Sequence, residues 1–505
     1  MTNKIISIVQ LKKILNNKNN KKKIALCHGV FDLLHPGHIN HFNQAKKISD
    51  ILIVSVTSDK NVLKGPGHPH FDEKNRMNSI ASLQSVDYVI LSNNLSSIEV
   101  INKVRPDYYV KGNDYKKFKT DITGKISKEN LAVKKNGGKT VFTSGITFSS
   151  SEIINQRFIY NDEQYNFIKK LKYKYSSEYI IEALNLLKKN KPLVLGESII
   201  DEYVFCQAIG KSGKEPYMVL QEKKSEDYLG GVLSIAQNIS ATSQKVNLLS
   251  AIGDEKKYRK KIFDTLKKKK INYEFLEKKT PSIIKKRFIE ENNNTKLLGV
   301  YTIDNNNIET EEKSRLLRMF KKQIKNSDLI ILSDYGHNFF FKELVKEIYK
   351  SNKFLAVNAQ VNSFTSGYNT ITNYKKANLA LMNETELRQE LRDKTSNRVD
   401  LIKKLDKRIN TNFIAVTHGK TGATIYDKKL KKIIHVPAFA NNVVDKVGAG
   451  DALFPILASS LYSNIPSDIA LYFASLSAAI NSENHGNKFV LNENYFSKTV
   501  EYSLK

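Results

Sequence analysis

The feature that most constrains the fold is an apolar run followed by a polar loop and then a helix-like segment. Ile24-Ala25-Leu26-Cys27 indicates a short buried strand. The loop after it contains His35-Pro36-Gly37-His38, and residues 39–48 have the pattern of a helix. At such a strand-to-helix junction, a parallel sheet presents a helix N-terminus to an anion. The stretch therefore predicts an α/β domain with an anion site at this loop.

The side chains of this loop suit nucleotidyl transfer. Gly37 lets the backbone approach a ligand closely, and the imidazoles of His35 and His38 can donate to phosphate oxygens. Charge develops on a triphosphate during such a reaction, and fixed donors stabilise it. A histidine-rich loop without a ligand is the alternative. The preceding strand, the following helix and the leading Gly29-Val30-Phe31-Asp32 disfavour it.

The loop resembles the nucleotidyltransferase superfamily that includes glycerol-3-phosphate cytidylyltransferase and the adenylyltransferase half of the bifunctional ADP-heptose synthase. The resemblance covers residues 22–158 and includes Lys64 in a glycine-proline loop and Arg76 in the first turns of a helix. It continues with Val-Lys-Gly-Asn-Asp-Tyr at residues 110–115 and a serine cluster before a helix. The sequence Val-Lys-Gly-Asn-Asp-Tyr resembles the ADP-heptose type of this superfamily more than the cytidylyltransferases.

The resemblance implies a role for each matched residue. His35, His38, Lys64 and Arg76 would act on the triphosphate. The residues expected to border the nucleotide are Gly29, Phe31, Gly37, Gly112, Asp114, Ser149, Ser150 and Ser151. Taken alone, Lys64 and Arg76 would be solvated surface charges, and the serines would only cap a helix.

The length of 505 residues exceeds what one core ordinarily supports, so two or three domains are expected. We predict a nucleotidyltransferase domain over 1–160, a connecting helix over 161–190 and a second domain over 191–505. Strands alternate with helices in both halves. The fold class is therefore α/β, with two doubly wound domains, the first Rossmann-like.

The formal net charge of +30 is compatible with a nucleic-acid or membrane partner. Most of the 81 basic residues are scattered lysines, however, so no dedicated nucleic-acid role is expected. Cys27 and Cys206 form no C-x-x-C pair, which indicates a reducing cytoplasm. No signal-peptide core or membrane-length apolar run occurs, so any membrane contact would be peripheral.

The strongest feature of the second half is Gly448-Ala449-Gly450-Asp451, between an apolar strand and an apolar helix. Successive N–H groups of the glycines can bind a phosphate at the start of the helix. Asp451 is placed where it could accept the proton of an attacking hydroxyl. Several earlier strands end in acidic or glycine-bearing turns, at Asp201, Asp334, Asn383 and residues 417–422.

This half resembles the ribokinase-like, PfkB-type sugar kinases. The resemblance implies that Asp451 is the catalytic base and that Gly448, Ala449 and Gly450 form an anion hole. It implies sugar contacts from Asp201, Gly230, Gly231, Asn238 and Asp334. Asn383 and Glu386 would organise Mg²⁺ through water, and Thr417, Gly419 and Gly422 would line the nucleotide. ATP or CTP would be a substrate, and a monovalent cation is a further expected cofactor.

Several positions depart from the kinase pattern. Lys446 stands where the family has Thr, and Ser234 where the glycine-bearing helix usually has Asn. Glu197 replaces Asp after Gly196, and Asn358-Ala359-Gln360 replaces Asp-Pro-Lys. Asp451 is retained, but these changes leave the sugar specificity and the kinase activity open.

The two halves together match the parts of the bifunctional ADP-heptose synthase, in reversed domain order. We therefore predict a kinase that phosphorylates a sugar and a transferase that couples the sugar phosphate to an NTP and releases pyrophosphate. A homodimer is expected from the kinase resemblance. The alternative is a CTP-dependent cytidylyltransferase acting on a sugar or polyol phosphate. Its degenerate PfkB-like half would then serve binding or dimerisation. The base of the NTP and the sugar stay open.

Overall fold

The structure is a computed structural model that describes residues 4–16, 22–94, 96–112, 125–144, 159–304, 308–361 and 368–504. It divides into two compact units, one ending at Asn161 and one running over Asp162–Leu504. Both are α/β, which confirms the predicted fold class. Each unit is described by itself.

The first unit is built on a five-stranded sheet in which every pairing is parallel. Its strands are β1 (Ile24–Gly29), β2 (Ile51–Thr57), β3 (Tyr88–Ser92), β4 (Tyr108–Lys111) and β5 (Lys139–Phe142), in the order β3-β2-β1-β4-β5. Its described helices are α1 (Ile8–Asn16), α2 (Pro36–Lys47), α3 (Glu73–Ala81), α4 (Ile98–Val104) and α5 (Lys125–Lys135).

The strand order places β1 at the centre of this sheet. From β1 the chain adds β2 and β3 on one side and then crosses to the other side to add β4 and β5. Ligands of open parallel sheets bind beyond the carboxyl ends of the strands at the point where the chain changes sides in this way. Apolar clusters cover both faces; one contains Phe42 and Met77, the other Leu11 and Val133. The loop after β1, which contains both predicted histidines, therefore lies at the position where a doubly wound sheet binds its ligand.

The second unit has a nine-stranded sheet in the order β10-β9-β6-β13-β14-β15-β16-β17-β18. Its strands are β6 (Pro192–Gly196), β9 (Asn247–Ile252), β10 (Asn272–Glu277), β13 (Leu329–Asp334), β14 (Phe354–Ala359), β15 (Leu379–Asn383), β16 (Phe413–Thr417), β17 (Ala423–Asp427) and β18 (Lys432–Val436). The pairings from β10 to β16 are parallel, and β17 and β18 are added antiparallel. The predicted parallel architecture is therefore present, with an antiparallel edge.

A second, four-stranded sheet in this unit has the order β12-β11-β7-β8. Its strands are β7 (Ser198–Lys211), β8 (Met218–Gly231), β11 (Ile283–Glu290) and β12 (Lys296–Thr302). The first residues of β7 and the last of β8 are buried, whereas all of β12 is exposed. The sequence analysis did not predict this sheet, because polar and charged residues interrupt its strands along much of their length.

Helices surround the large sheet. They are α6 (Asp162–Lys174), α7 (Ser177–Leu187), α8 (Val232–Ile239), α9 (Lys256–Lys268), α10 (Thr310–Gln323), α11 (Lys342–Lys350), α12 (Glu384–Leu391), α13 (Arg398–Asp406), α14 (Ala449–Tyr462), α15 (Ser467–Ser482) and α16 (Glu493–Ser503). Helices α14 and α15 are buried along most of their length, which accounts for their continuous apolar sequence.

Residues 161–190, predicted as a connecting helix, are helical, and from Asp162 onward they belong to the second compact unit. They form α6 and α7, which are joined to the kinase-like core by side-chain contacts. Lys174 Nζ lies 2.7 Å from Asp468, and Gln164 donates to the carbonyl of Ala438 at 2.6 Å. The lysine-rich composition concealed an apolar face that includes Leu171.

Within the residues that the structure describes, no helix is long and apolar enough to cross a membrane.

Candidate active sites

The two predicted histidines of the first unit lie against each other at the start of α2. Their ring centroids are 3.9 Å apart and nearly parallel. His35 is the N-cap residue of α2, and its Nδ1 accepts a hydrogen bond from the Gly37 amide at 3.1 Å. The ring of Phe31 meets His38 edge-on, with centroids 5.3 Å apart. Four predicted residues of the loop are therefore brought together, and the helix N-terminus follows them.

Both imidazoles are neutral at physiological pH. Burial, together with the neighbouring His35, His41 and Lys64, lowers the pKa of His38 to about 3. Burial also lowers the pKa of His35. The charge of Lys64 is thus close enough to affect His38, as the predicted site requires. Neutral imidazoles beside a cation and a helix N-terminus can donate hydrogen bonds to a polyphosphate.

Asp32 fixes the loop that carries Lys64. Its buried carboxylate accepts from the amides of His70 and Phe71, both at 2.9 Å, and lies 3.5 Å from His68 Nδ1. Burial would raise the pKa of Asp32, but the bonds from His68 and the two amides, with the charge of Lys64, lower it overall. Sequence analysis noted Asp32 only as part of the leading motif.

Arg76 is placed differently from the prediction. Its side chain is buried, with only 1% exposed, and it donates to the carbonyls of Val30, Thr57 and Phe71. It also forms an ion pair with Asp59. These bonds use most of the donors of the guanidinium within the protein. Arg76 is therefore a positioning residue that joins the ends of β1 and β2, not an exposed cation.

Gly29 and Gly112 end or follow strands at the ligand edge of this sheet. A Cβ on Gly29 would lie 3.0 Å from the ring of Phe31, whereas a Cβ on Gly112 would meet nothing within 4 Å. The absence of a side chain at Gly29 thus lets the Phe31 ring pack on the backbone. The predicted residues Asp114, Ser149, Ser150 and Ser151 lie outside the described residues.

In the second unit, the predicted anion hole is the N-terminus of α14. Gly448 caps this helix with φ +84°, and Ala449, Gly450 and Asp451 form its first turn. A Cβ on Gly448 would lie 2.1 Å from Asn487 Oδ1, so both conformation and space require glycine there. Unpaired backbone N–H groups and the helix dipole can stabilise an anion at this end.

Asp451 has the properties of a general base. Burial raises its pKa to about 7, and the negative charge of Asp201 contributes in the same direction. A hydrogen bond from the hydroxyl of Tyr335 at 2.9 Å and the charge of Lys285 oppose this rise. A carboxylate with such a pKa can accept the proton of a hydroxyl near neutral pH.

Two basic residues of β11, Lys285 and Arg287, belong to the same site and were not found from the sequence. Arg287 forms an ion pair with Asp201, and a Cβ on Gly230 would lie 2.2 Å from that carboxylate. Lys285 Nζ lies 5.9 Å from the centre of the Tyr335 ring. Burial lowers the pKa of Lys285, and the charges of Asp201 and Asp451 oppose it. The site therefore combines acidic groups with two cations.

The loop after β13 is held by Glu197, the residue that replaces the family's Asp. Its buried carboxylate accepts from the amides of Tyr335 and His337, each at 3.0 Å. Burial and the nearby Asp334 raise its pKa to about 8. His337 itself is 5% exposed, and its ring nitrogens have no hydrogen-bond partner within the described part of the chain. Both residues lie at the site but were not in the predicted set.

Two of the predicted sugar contacts are occupied by the protein. Asn238 is buried; its Oδ1 accepts from the Leu491 amide at 3.3 Å, and its Nδ2 lies 3.4 Å from Ser234 Oγ. Asp334 is buried and accepts from the Tyr374 hydroxyl at 2.6 Å. Burial raises the pKa of Asp334. Both side chains therefore stabilise the fold in this structure: they are buried, and their polar atoms form hydrogen bonds with neighbouring protein groups. Gly231 remains close to the predicted site and caps α8 with φ +58°.

The residues predicted to organise Mg²⁺ form a capping box on α12. Asn383 Oδ1 accepts from the Glu386 amide, and Glu386 Oε2 accepts from the Asn383 amide, both at 2.8 Å. The second oxygen of Glu386 accepts from Val361 N at 3.3 Å. In the described ranges, no three His, Cys, Asp or Glu side chains are arranged to hold a metal directly. Contact through water, as predicted, is compatible with these bonds.

Thr417, Gly419 and Gly422 lie in the turn between β16 and β17. Gly419 has φ +61° and Gly422 φ +93°, and a Cβ on Gly422 would lie 2.1 Å from the carbonyl of Val436. His418 anchors this turn: Nδ1 lies 2.9 Å from Glu384 Oε2 and Nε2 lies 2.9 Å from Thr424 Oγ1. The turn therefore exposes backbone at the end of β16, as a nucleotide-lining segment requires.

Comparison with known proteins assigns both units. The family model for pfkB carbohydrate kinases matches residues 189–494, and the cytidylyltransferase-like model matches residues 26–183. Among solved structures, phosphofructokinase-2 of Escherichia coli aligns with a TM-score of 0.51 at 14% identity, over 63% of this chain and 100% of that one. Arabidopsis thaliana ribokinase complexed with ribose and ATP aligns with a TM-score of 0.50 at 15% identity, over 63% of this chain and 99% of that one. These structures show a shared fold.

Curated relatives include proteins named bifunctional protein HldE. The Nitratiruptor protein is 26% identical over 302 residues, which is 58% of this chain and 61% of that relative. The protein of Helicobacter pylori strain G27 is 43% identical over 111 residues, or 21% and 24% of the two chains. The chain thus spans less than two thirds of these relatives. It belongs to the pfkB family of carbohydrate kinases, with a cytidylyltransferase-like domain preceding the kinase domain.

Proposed function

We propose that the chain makes a nucleotide-activated sugar in two steps. The kinase domain phosphorylates a sugar, and the transferase domain couples a sugar phosphate to an NTP. The observation that carries the proposal is that one chain holds both a paired-histidine loop at a helix N-terminus and an aspartate beside a glycine anion hole. Similarity to bifunctional relatives supports the same conclusion.

In the kinase step, Asp451 removes the proton of the sugar hydroxyl. The hydroxyl oxygen then forms a bond to the γ-phosphorus of ATP, the bond to the β-phosphate oxygen breaks, and ADP leaves. The N–H groups at Gly448–Gly450 stabilise the charge on the transferred group. Lys285 and Arg287 face this reaction with positive charge.

In the transferase step, an oxygen of the sugar phosphate attacks the α-phosphorus of the NTP, and pyrophosphate leaves. The nucleophile is already ionised, so no side chain need act as its base. His35, His38 and Lys64 bind the triphosphate and stabilise charge on the leaving pyrophosphate. Neutral imidazoles donate hydrogen bonds without bringing a second buried charge into the loop.

The sugar that fits best is a heptose phosphate, and ATP is the nucleotide of both steps. The sequence at 110–115 favours the ADP-heptose type, and a phosphorylated sugar suits the cations of β11. The high net positive charge would attract such anionic substrates. Mg²⁺ would accompany each nucleotide and neutralise phosphate charge, with Asn383 and Glu386 holding its waters in the kinase.

The working form is proposed to be a homodimer in the cytoplasm. The four-stranded sheet carries exposed apolar side chains that a second copy could cover. They are Ile209, Tyr217, Met218, Leu298, Val300 and Tyr301, each at least 46% exposed. Exposed apolar patches of this kind mark contact surfaces. Val300→Glu should therefore convert a dimer to a monomer in light scattering, whereas Val399→Glu, on an exposed helix of the same unit, should not.

The function is tested by supplying the full chain with Mg²⁺, each of ATP, CTP, GTP and UTP, and a panel of sugar and polyol phosphates. ADP release with a heptose 7-phosphate, and pyrophosphate release with ATP and a heptose 1-phosphate, are the expected results. Asp451→Asn should abolish only the first and His38→Ala only the second. Pyrophosphate release with CTP alone would replace the proposal by the cytidylyltransferase alternative.

A further inference from the structure

Asp445 lies in the loop that leads into α14, and its side chain is 4% exposed. Four donors converge on its carboxylate. Lys296 Nζ at 2.6 Å and the Val447 amide at 3.1 Å donate to Oδ1. The Tyr203 hydroxyl at 2.6 Å and the Gly486 amide at 3.0 Å donate to Oδ2. We call these residues the Asp445 cluster; they join β7, β12, the loop before α14 and the segment after α15.

The cluster lies next to the anion-binding turn. Gly448 follows Asp445 by three residues, and Asn487, which lies against Gly448, follows the Gly486 amide bound by Asp445. The carboxylate therefore determines how the turn and the segment over 484–487 lie against each other. A buried negative charge at this point requires a partner of opposite charge. Lys296, from the other sheet of the unit, supplies it.

The resemblance to ribokinase-like kinases implies a monovalent cation, and the residues here do not fit one. A hard cation takes oxygen ligands, carboxylates among them, and Asp445 is the buried carboxylate that immediately precedes the anion-binding turn. Each of its oxygens already accepts two hydrogen bonds, which uses its lone pairs. One donor is a full positive charge at 2.6 Å, so a metal ion there would have to displace it.

We propose that the Lys296 ammonium replaces the monovalent cation, so that the kinase works without K⁺ or Na⁺. The inference rests on the proposed kinase function. A tethered ammonium supplies the same single charge but is held by the chain, so no ion need be captured from solution. The burial of Asp445 would raise its pKa, and the bond and charge of Lys296 hold it below the ordinary value. Because Lys296 lies on β12, its bond to Asp445 also connects the four-stranded sheet to the loop before α14.

A cavity beside the pair makes the proposal testable by substitution. It has a volume of about 220 Å³, and Lys296, Asp445, Lys446 and His485 are among its lining residues. Removing the ammonium would leave a buried carboxylate next to a space large enough for an alkali ion. Lys296→Met removes the charge and keeps much of the stem, and Lys296→Gln keeps a hydrogen-bond donor without the charge.

The experiment measures ADP release by the full chain in chlorides of K⁺, Na⁺ or tetramethylammonium at equal ionic strength. Wild-type rates should agree within about twofold. In tetramethylammonium, the rate of ADP release by both Lys296 variants should be lower than the wild-type rate by tenfold or more. This is on the order of the contribution of one charged hydrogen bond, and K⁺ should restore the rate. Lys428→Met is the matched control, because Lys428 is also half exposed and ion-paired, 2.9 Å from Asp406. It should behave as wild type.

Thermal unfolding tests the same exchange without any substrate. The melting temperature of the wild type should not depend on the cation, whereas K⁺ should raise that of both Lys296 variants above its value in tetramethylammonium. A wild-type rate or melting temperature that depends on K⁺ would overturn the proposal. So would Lys296 variants that match wild type, or that K⁺ does not rescue in either measurement. If no sugar is phosphorylated at all, the proposed function fails, and the melting temperatures still decide the cation question.

Discussion

Replacing Tyr335 by Phe should move the pH dependence of the kinase step to higher pH. The Tyr335 hydroxyl donates to Asp451 Oδ1 at 2.9 Å, and this bond favours the charged carboxylate. Burial, with the charge of Asp201, raises the pKa of Asp451 to about 7 despite that bond. Removing the hydroxyl leaves burial and Asp201 opposed only by Lys285. The pKa must therefore rise further.

The size of the shift follows from the bond that is lost. A hydrogen bond to a charged group contributes about 1.5–3 kcal/mol, and one pKa unit corresponds to about 1.4 kcal/mol. Because Asp451 is partly exposed, we take the lower end, a rise of about one unit. A base acts when deprotonated, so the wild-type kcat/KM should fall below about pH 7, by about tenfold per unit. In Tyr335→Phe the fall should begin near pH 8.

The assay is kcat/KM for ADP release between pH 5.5 and 9.5. Tyr175→Phe is the matched control, since the Tyr175 hydroxyl also donates to a carboxylate, that of Asp468, at 3.1 Å. Neither Tyr175 nor Asp468 belongs to the proposed kinase site. This variant should leave the profile in place. Two results would refute the assignment of Asp451 as the base. One is the same pH profile of kcat/KM for wild type and Tyr335→Phe, and the other is a wild-type kcat/KM that falls only near pH 4.

Three further predictions concern residues whose positions the structure defines. The His38 ring should not titrate between pH 5 and 8, because burial lowers its pKa to about 3 and the ring stays neutral; a His38 titration near pH 6.5 in NMR spectra of the full chain would contradict this. Arg76→Gln should destabilise the first unit by about 3 kcal/mol in denaturant unfolding, since it takes donors from buried carbonyls and the cation from Asp59, whereas Lys64→Ala should raise KM for the nucleotide at unchanged stability. Asn383→Ala should lower the free energy of unfolding by about 1 kcal/mol through loss of the cap, and equal stability of variant and wild type would contradict the capping box.

The fold followed from local sequence because most of the parallel strands are short apolar runs, and several of them end in loops with glycine or acidic residues. This is why the strand that ends at Gly29 and the turn at Gly448 were found together with their sites. The positive φ of Gly448 is a local property of the turn, which a glycine in the sequence indicates. The residues of the histidine loop are consecutive in the sequence. Such local features are visible before any packing is known.

The residues that were missed come from packing between distant segments. Lys285 and Arg287 lie on a strand with three consecutive basic residues at its centre, and only their approach to Asp201 and Asp451 gives them a role. Arg76 was expected at a triphosphate because a surface arginine and a buried one have the same local sequence. Burial at 1% exposure decides between the two, and only the tertiary structure shows it.

The departures from the kinase pattern are accommodated by the structure and do not remove the reacting groups. Ser234 lies 3.4 Å from Asn238 Nδ2, and Asn358 donates to the carbonyl of Leu381 at 2.9 Å, so each substituted side chain has a partner. Lys446 is exposed beside the cavity at Asp445. A lysine at this position adds positive charge where Lys296 already neutralises the buried carboxylate. The altered positions therefore leave Asp451 with its hydrogen bond from Tyr335 and its raised pKa, which are the two properties that the proposed role as general base requires.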